Sequence, residues 1–214
     1  MATGKTPRLW GKRRGTSITG AERPAQGEKG QLRDTRYFTE SEVENIIDCA
    51  KSRGDEVYVT MVIGFVTGCR VGELVRMTVS DWKFERGLVE ITDSKKKRKR
   101  IVPVPEQYLG IIREYISQHN LKGDQLLCPM SPKTYNRWLK QIALEIGLQW
   151  SPERENIRWH SWRGTFVRLK HRAGYDVKWL EQAIGDTYST ILQYYSRYTD
   201  EDMVEIMKEK ENND

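Results

Sequence analysis

His160-Ser161-Trp162-Arg163-Gly164-Thr165-Phe166 is the stretch from which the rest of the chain can be read. His160 and Arg163 are three residues apart, so on a helix they share a face and can point at one ligand. A second arginine stands far upstream, inside Thr67-Gly68-Cys69-Arg70-Val71-Gly72-Glu73-Leu74, and three tyrosines, Tyr194, Tyr195 and Tyr198, follow downstream. A guanidinium is always charged and offers a planar fork that fits two phosphate oxygens. Two of them can hold a phosphodiester and neutralise charge that grows in the transition state. An activated phenol can attack phosphorus and carry the phosphoryl group as a covalent intermediate. Two arginines, a histidine and a tyrosine are therefore the groups a metal-free enzyme needs to break a phosphodiester with its own side chain.

The order and spacing of these segments resemble the tyrosine recombinases, the family of phage integrases and Xer-type recombinases. The segment around Arg70 resembles the family's T-G-x-R-x-x-E-L box, with Asp81 where that box usually ends. The segment around Arg163 resembles H-x-L-R-H-T-F, with Trp162 in place of leucine and Gly164 in place of the second histidine. Ile184-Gly185-Asp186-Thr187 stands where the family has L-G-H-S, and Tyr195 lies nine residues after Asp186, the family's interval to its nucleophile. The family's catalytic lysine sits five residues before an arginine that opens a hydrophobic-Val-Pro run. Here that arginine is Arg100, and the count lands on Lys95, with Lys96 and Lys97 as alternatives. The match covers nearly everything after residue 36.

The resemblance implies a mainly α fold with a small antiparallel three-stranded β-sheet. It implies a site-specific recombinase for integration or excision of a viral or mobile element. Tyr195 would attack duplex DNA, leave a 3′-phosphotyrosyl link and a free 5′ hydroxyl, and pass the strand on through a Holliday junction. Arg70 and Arg163 would fork the phosphate, His160 would hydrogen-bond it or shuttle a proton, and Lys95 would be general acid to the leaving oxygen. No cofactor, ATP or metal is called for. The partner would be double-stranded DNA, bound by a homotetramer on paired sites, with a monomer as the state without DNA. Glu73, which would repel the phosphate if it touched it, is expected behind Arg70, orienting Arg70 or His160. Asp186 is the main departure, since an ionised aspartate accepts but cannot donate the hydrogen bond that a histidine or tryptophan gives. It is expected to orient a neighbouring donor such as His160. Two rivals remain: a type IB topoisomerase that relaxes DNA, and a DNA-binding regulator disabled by Asp186.

Composition agrees with a polyanionic partner. The 214 residues carry 36 Lys+Arg against 30 Asp+Glu, a formal net charge of +6. No apolar run approaches the length of a membrane span and no secretory leader is recognisable, so the chain reads as cytoplasmic, in a prokaryotic cell or the host of a virus. The three cysteines, Cys49, Cys69 and Cys128, show no metal-ligand spacing and read as reduced packing residues. Residues 1–35, rich in glycine and in basic residues such as Lys5, Arg8, Lys12, Arg13 and Arg14, read as a disordered arm. Residues 36–214 read as the catalytic domain with a C-terminal helix. The helical domain that usually precedes it in the family has no room here, so the chain reads as a minimal recombinase or one whose domain was lost or removed.

Hydrophobic spacing and caps predict the elements. Thr39 and Glu42 form a capping box ahead of a helix that Gly54 ends. Helices follow over about 56–66 and 71–77, leaving Arg70 at the joint between them. Short strands are predicted over 82–84, 88–92 and 100–104. Later helices cover about 106–118, 131–146 with Pro132 at its first position, 160–173, 177–184 after an Asp176 cap, 189–198, and the segment after Thr199. Lys133, Asn136, Arg137 and Lys140 form a polar, basic face suited to DNA contact. Met203, Val204, Ile206 and Met207 make an apolar tail that the resemblance would dock on a neighbouring subunit.

Overall fold

The computed structural model describes residues 34–93, 98–148, 150, 155–195, 204, 207 and 208. Residues 1–33 of the expected arm, the lysines 95–97 and most of the chain beyond Tyr195 lie outside the described residues.

The first helix, α1 (Glu40–Ser52), begins as its sequence dictates: the Thr39 hydroxyl accepts from the Glu42 amide and the Glu42 carboxylate accepts from the Thr39 amide. It packs on α2 (Asp55–Thr67), whose residues from Val59 to Gly64 are buried on every side. A helix apolar all round belongs at the centre of a domain, and α2 also touches α4 (Glu106–Gln118), α5 (Pro132–Glu145) and α6 (His160–Arg172). Gly68 ends α2 at φ 54°, a conformation open to glycine without strain, and turns the chain so that Arg70 caps α3. That helix, Val71–Leu74, is shorter than the predicted 71–77, because Leu127 and Met77 form a backbone hydrogen bond that draws Met77 out of it.

The predicted antiparallel sheet is present as β2 (Trp82–Lys83), β3 (Leu88–Thr92) and β4 (Lys99–Pro103), in the order β2-β3-β4, with Val89 opposite Val102. A second, parallel pairing was not legible in the sequence. Two residues assigned to the arm, Asp34 and Thr35, form β1 and pair with β5 (Glu155–Asn156). Strands of two residues carry too little alternation to be read from sequence. After α6 come α7 (Val177–Ile184), capped by Asp176 as predicted, and α8 (Tyr188–Tyr195), and the described residues Val204, Met207 and Lys208 are helical.

The core is aromatic at the α2–α6 contact. Trp159 and Trp162 are buried there, with Phe38 edge-on to Trp162 at 5.2 Å between centroids. Phe38 is held against α6 by its amide, which donates to the Thr165 hydroxyl at 2.8 Å. The neighbouring Tyr37 explains Gly164, the glycine that replaces the second histidine of the resembled box. A Cβ on Gly164 would lie 2.1 Å from Tyr37 Cε1, so the ring occupies the space a side chain would need. Gly164→Ala should therefore lower folding stability by about 1–3 kcal/mol, the usual effect of overpacking. Chemical denaturation measures this, and an unchanged midpoint would contradict the Tyr37–Gly164 contact.

Candidate active site

Four segments meet around three arginines. Arg163 lies on the buried face of α6 with no exposed surface. Its Nη1 donates to the Gly68 carbonyl at 3.0 Å and its Nη2 to the Ile184 carbonyl at 2.6 Å. The remaining edge faces Asp186: Nε and Nη2 donate to Oδ2 at 2.9 and 2.7 Å. Arg70, 37% exposed at its side chain, donates from Nη2 to the other oxygen of the same carboxylate. The Asp186 carboxylate thus bridges the two guanidiniums. Its donors are Arg70 and Arg163 and not His160, contrary to the expectation from sequence. The reason is charge: a fully buried guanidinium needs an anion in contact, and an uncharged imidazole offers Asp186 less.

Arg70 is set by its surroundings. The Trp159 indole N–H donates to the Cys69 carbonyl at 2.9 Å, and the Thr67 hydroxyl accepts from the Cys69 amide at 3.2 Å, fixing the turn on which Arg70 stands. Arg70 Nη1 donates to Glu73 Oε1 at 3.2 Å and to Asp93 Oδ2 at 3.1 Å, and its backbone N–H to Glu73 Oε2 at 2.8 Å. Glu73 thus lies beside Arg70. Burial pushes its carboxyl up, but the hydrogen bonds and charge of Arg100 outweigh this and hold it below the ordinary range. Arg100 entered the sequence reading only as a counting landmark and the start of a strand, and Asp93 did not enter it at all. Neither partnership could have been found there, since each depends on the hairpin of β3 and β4 folding back against α3.

His160 sits at the first turn of α6, half-buried, with Nε2 3.3 Å from the Tyr194 hydroxyl. Burial, and next the charge of Arg163, push the imidazole down to about 4, so it is neutral at pH 7. Burial raises the Tyr194 phenol. Tyr195 follows on α8 with its backbone described and its side chain outside the described residues, as Lys95 is altogether. Among the described residues no group of three His, Cys, Asp or Glu is placed to hold a metal ion. A cleft of about 510 Å³ opens beside the bridge, lined by Asp93, Arg98, Lys99, Glu181, Asp186 and Thr187 among others.

On α5, Lys133, Arg137 and Lys140 are exposed on one face. Asn136 is committed inside the chain, its Nδ2 donating to the Pro132 carbonyl at 2.7 Å and its Oδ1 accepting from the Trp159 amide at 2.8 Å. In the tail, Val204 and Met207 are exposed, while Met203 and Ile206 lie outside the described residues.

The sequence pattern of the phage integrase family matches residues 36–202. The chain belongs to the phage integrase family. Among curated proteins it is similar to the tyrosine recombinase XerA of Pyrococcus furiosus, 24% identical over 172 residues, covering 77% of this chain and 58% of the relative. It is also similar to a tyrosine recombinase of Thermosipho africanus, 22% identical over 176 residues, covering 80% and 60%. The chain thus spans about three-fifths of the length of these relatives. Among solved structures it resembles the XerA recombinase, with a TM-score of 0.69 and 22% identity over 83% of this chain and 66% of that one. It also resembles the catalytic domain of bacteriophage HP1 integrase, with a TM-score of 0.60 and 16% identity over 76% and 88%. At these identities the structural likeness shows the fold, that of a tyrosine recombinase catalytic domain. None of the described helices is long and apolar enough to cross a membrane.

The imidazole of His160 carries a pH consequence. Its folded value of about 4 lies below the 6.5 of an unperturbed histidine. Between those values the unfolded chain takes up the proton and the folded chain does not. The contribution to stability is therefore intact above about pH 6.5 and lost as pH falls toward 4. His160→Gln should flatten the stability profile in that window relative to wild type. Parallel profiles from urea unfolding at each pH would contradict the buried, neutral imidazole.

Proposed function

We propose that this phage integrase family member is a site-specific DNA recombinase that cuts a strand by attack of Tyr195 on a phosphodiester held between Arg70 and Arg163. The observation that carries the reading is the Asp186 bridge. A carboxylate with one oxygen on each of two arginine forks stands where a phosphodiester would present two non-bridging oxygens to the same donors. Phosphate entry then requires Asp186 to leave, and the adjoining cleft gives it room.

In this mechanism the two guanidiniums polarise the phosphate and stabilise the charge of the five-coordinate transition state. The phenol proton passes to an acceptor as the phosphorus–oxygen bond forms, and the neutral His160 imidazole is a competent acceptor at pH 7. A hairpin lysine, Lys95 by its position, protonates the departing 5′ oxygen. The phosphotyrosyl link retains the bond energy, so rejoining to a partner strand needs no ATP. The exposed Lys133, Arg137 and Lys140 contact the DNA backbone. On the motif resemblance, we infer that the chain acts on double-stranded DNA inside the cell as a homotetramer on paired sites, in integration or excision of a viral or mobile element.

The blocked forks also suit a second reading, a DNA-binding regulator that never cuts. A pool of nicked duplexes with randomised core sequence separates the two. Wild type should form a covalent protein–DNA adduct without divalent metal. Tyr195→Phe should abolish it, and Tyr194→Phe should leave it formed though slower, because His160 loses its phenol partner. An adduct mapped to Tyr194 moves the nucleophile by one residue, and no adduct from wild type favours the regulator.

A further inference from the structure

We propose that Arg100 is a positioning residue for the phosphodiester site: it grips and neutralises the Glu73 carboxylate, so that Arg70 keeps a fixed fork and a positive charge directed at phosphate. This rests on the assignment of Arg70 to phosphate binding. Arg100 is the second residue of β4 and is buried. Its Nη1 and Nη2 donate to Glu73 Oε1 and Oε2 at 2.9 and 2.7 Å, a two-pronged pair. Its Nε donates to the Ala183 carbonyl at 2.8 Å, at the end of α7. Its stem runs under Gly185, where a Cβ would lie 3.2 Å from Arg100 Cδ. One guanidinium therefore ties together the hairpin that carries the lysines, the helix that follows Arg70, and the turn that presents Asp186. With Nε, Nη1 and Nη2 all donating inside the chain, Arg100 is not placed to touch DNA.

Charge gives the tie its purpose. Among the described residues the cluster holds three guanidiniums, on Arg70, Arg100 and Arg163, against three carboxylates, on Glu73, Asp93 and Asp186. When Asp186 withdraws, these described groups hold one positive charge more than negative, matching the single charge of a phosphodiester. Without Arg100 that surplus disappears, and the Glu73 carboxylate, 3.2 Å from Arg70, would compete with phosphate for the Arg70 fork. A buried ion pair confers little stability over an apolar pair of the same volume, so the geometry here is better explained by what it does to Arg70.

The test compares wild type, Arg100→Met, Glu73→Gln and the double variant, with Arg100→Lys as the charge-keeping control. Each is first checked for cooperative unfolding. In the full chain without DNA, NMR of the Arg70 guanidinium should show a slowly rotating group in wild type and a freely rotating one in Arg100→Met. On the nicked duplex pool, Arg100→Met should slow adduct formation by tenfold or more, and Arg100→Lys should recover part of the loss. Because Arg100 acts through Glu73, the double variant should be no slower than Arg100→Met. The rate of Arg100→Met should also show a titration absent from wild type and from the double variant, as Glu73 loses the partner that keeps it ionised. The groups facing Glu73 are Arg70, Arg100 and Arg163, with Cys69 nearby, and only Arg100 changes in this comparison. Losses that multiply independently, with an unchanged Arg70 signal, would overturn the proposal. If wild type forms no adduct, the recombinase reading fails, and the NMR comparison still decides whether Arg100 positions Arg70.

Discussion

Arg163 is a guanidinium with no access to solvent, and that burial is the constraint around which the centre is arranged. An isolated charge in such a place is costly, so the surrounding chain must supply acceptors. It supplies two carbonyls, at the C-terminal turns of α2 and α7, and one carboxylate from Asp186. The carbonyls are permanent partners that lock α6 to the ends of two other helices. The carboxylate is carried on a side chain, hence a rotamer change can remove it. In the proposed mechanism such a site is rigid where it must hold geometry and exchangeable where a substrate would enter.

The same division explains why so many charges sit within one hydrogen-bonded cluster. Glu73 and Arg100 are buried and bind each other through two bonds, while Arg70 is more than a third exposed at its side chain. Asp93, at the base of the lysine hairpin, accepts from Arg70 and closes its own hairpin through a backbone bond to Arg98. In the proposed mechanism, movement of Arg70 toward a phosphate is thereby coupled to the hairpin whose sequence includes Lys95.

Much of this was legible in the chain because it depends on local order. The Thr39–Glu42 cap, the Asp176 cap, Pro132 at the start of α5 and the alternation of β3 and β4 are short-range signals, and the elements stand within a residue or two of where they point. Arg70, Arg163 and His160 could be picked out because their spacing resembles one family. What escaped was whatever needs the third dimension. Glu73–Arg100, Arg70–Asp93 and the Trp159–Cys69 bond join residues 23 to 90 positions apart. Gly164 looked like a missing histidine and proved to be the seat of the Tyr37 ring. Asp186 looked like a lost donor beside His160, and its position between two arginines follows only from where α7 ends.

The claim that the Asp186 carboxylate and the scissile phosphate compete for the same two forks is tested most directly by the structure of this chain trapped on a nicked duplex. The account predicts a phosphodiester with one non-bridging oxygen on Arg70 and the other on the Nε–Nη2 edge of Arg163, and Asp186 beyond hydrogen-bond distance of both. A bound phosphodiester lying elsewhere, with Asp186 still bridging the two arginines, would contradict it.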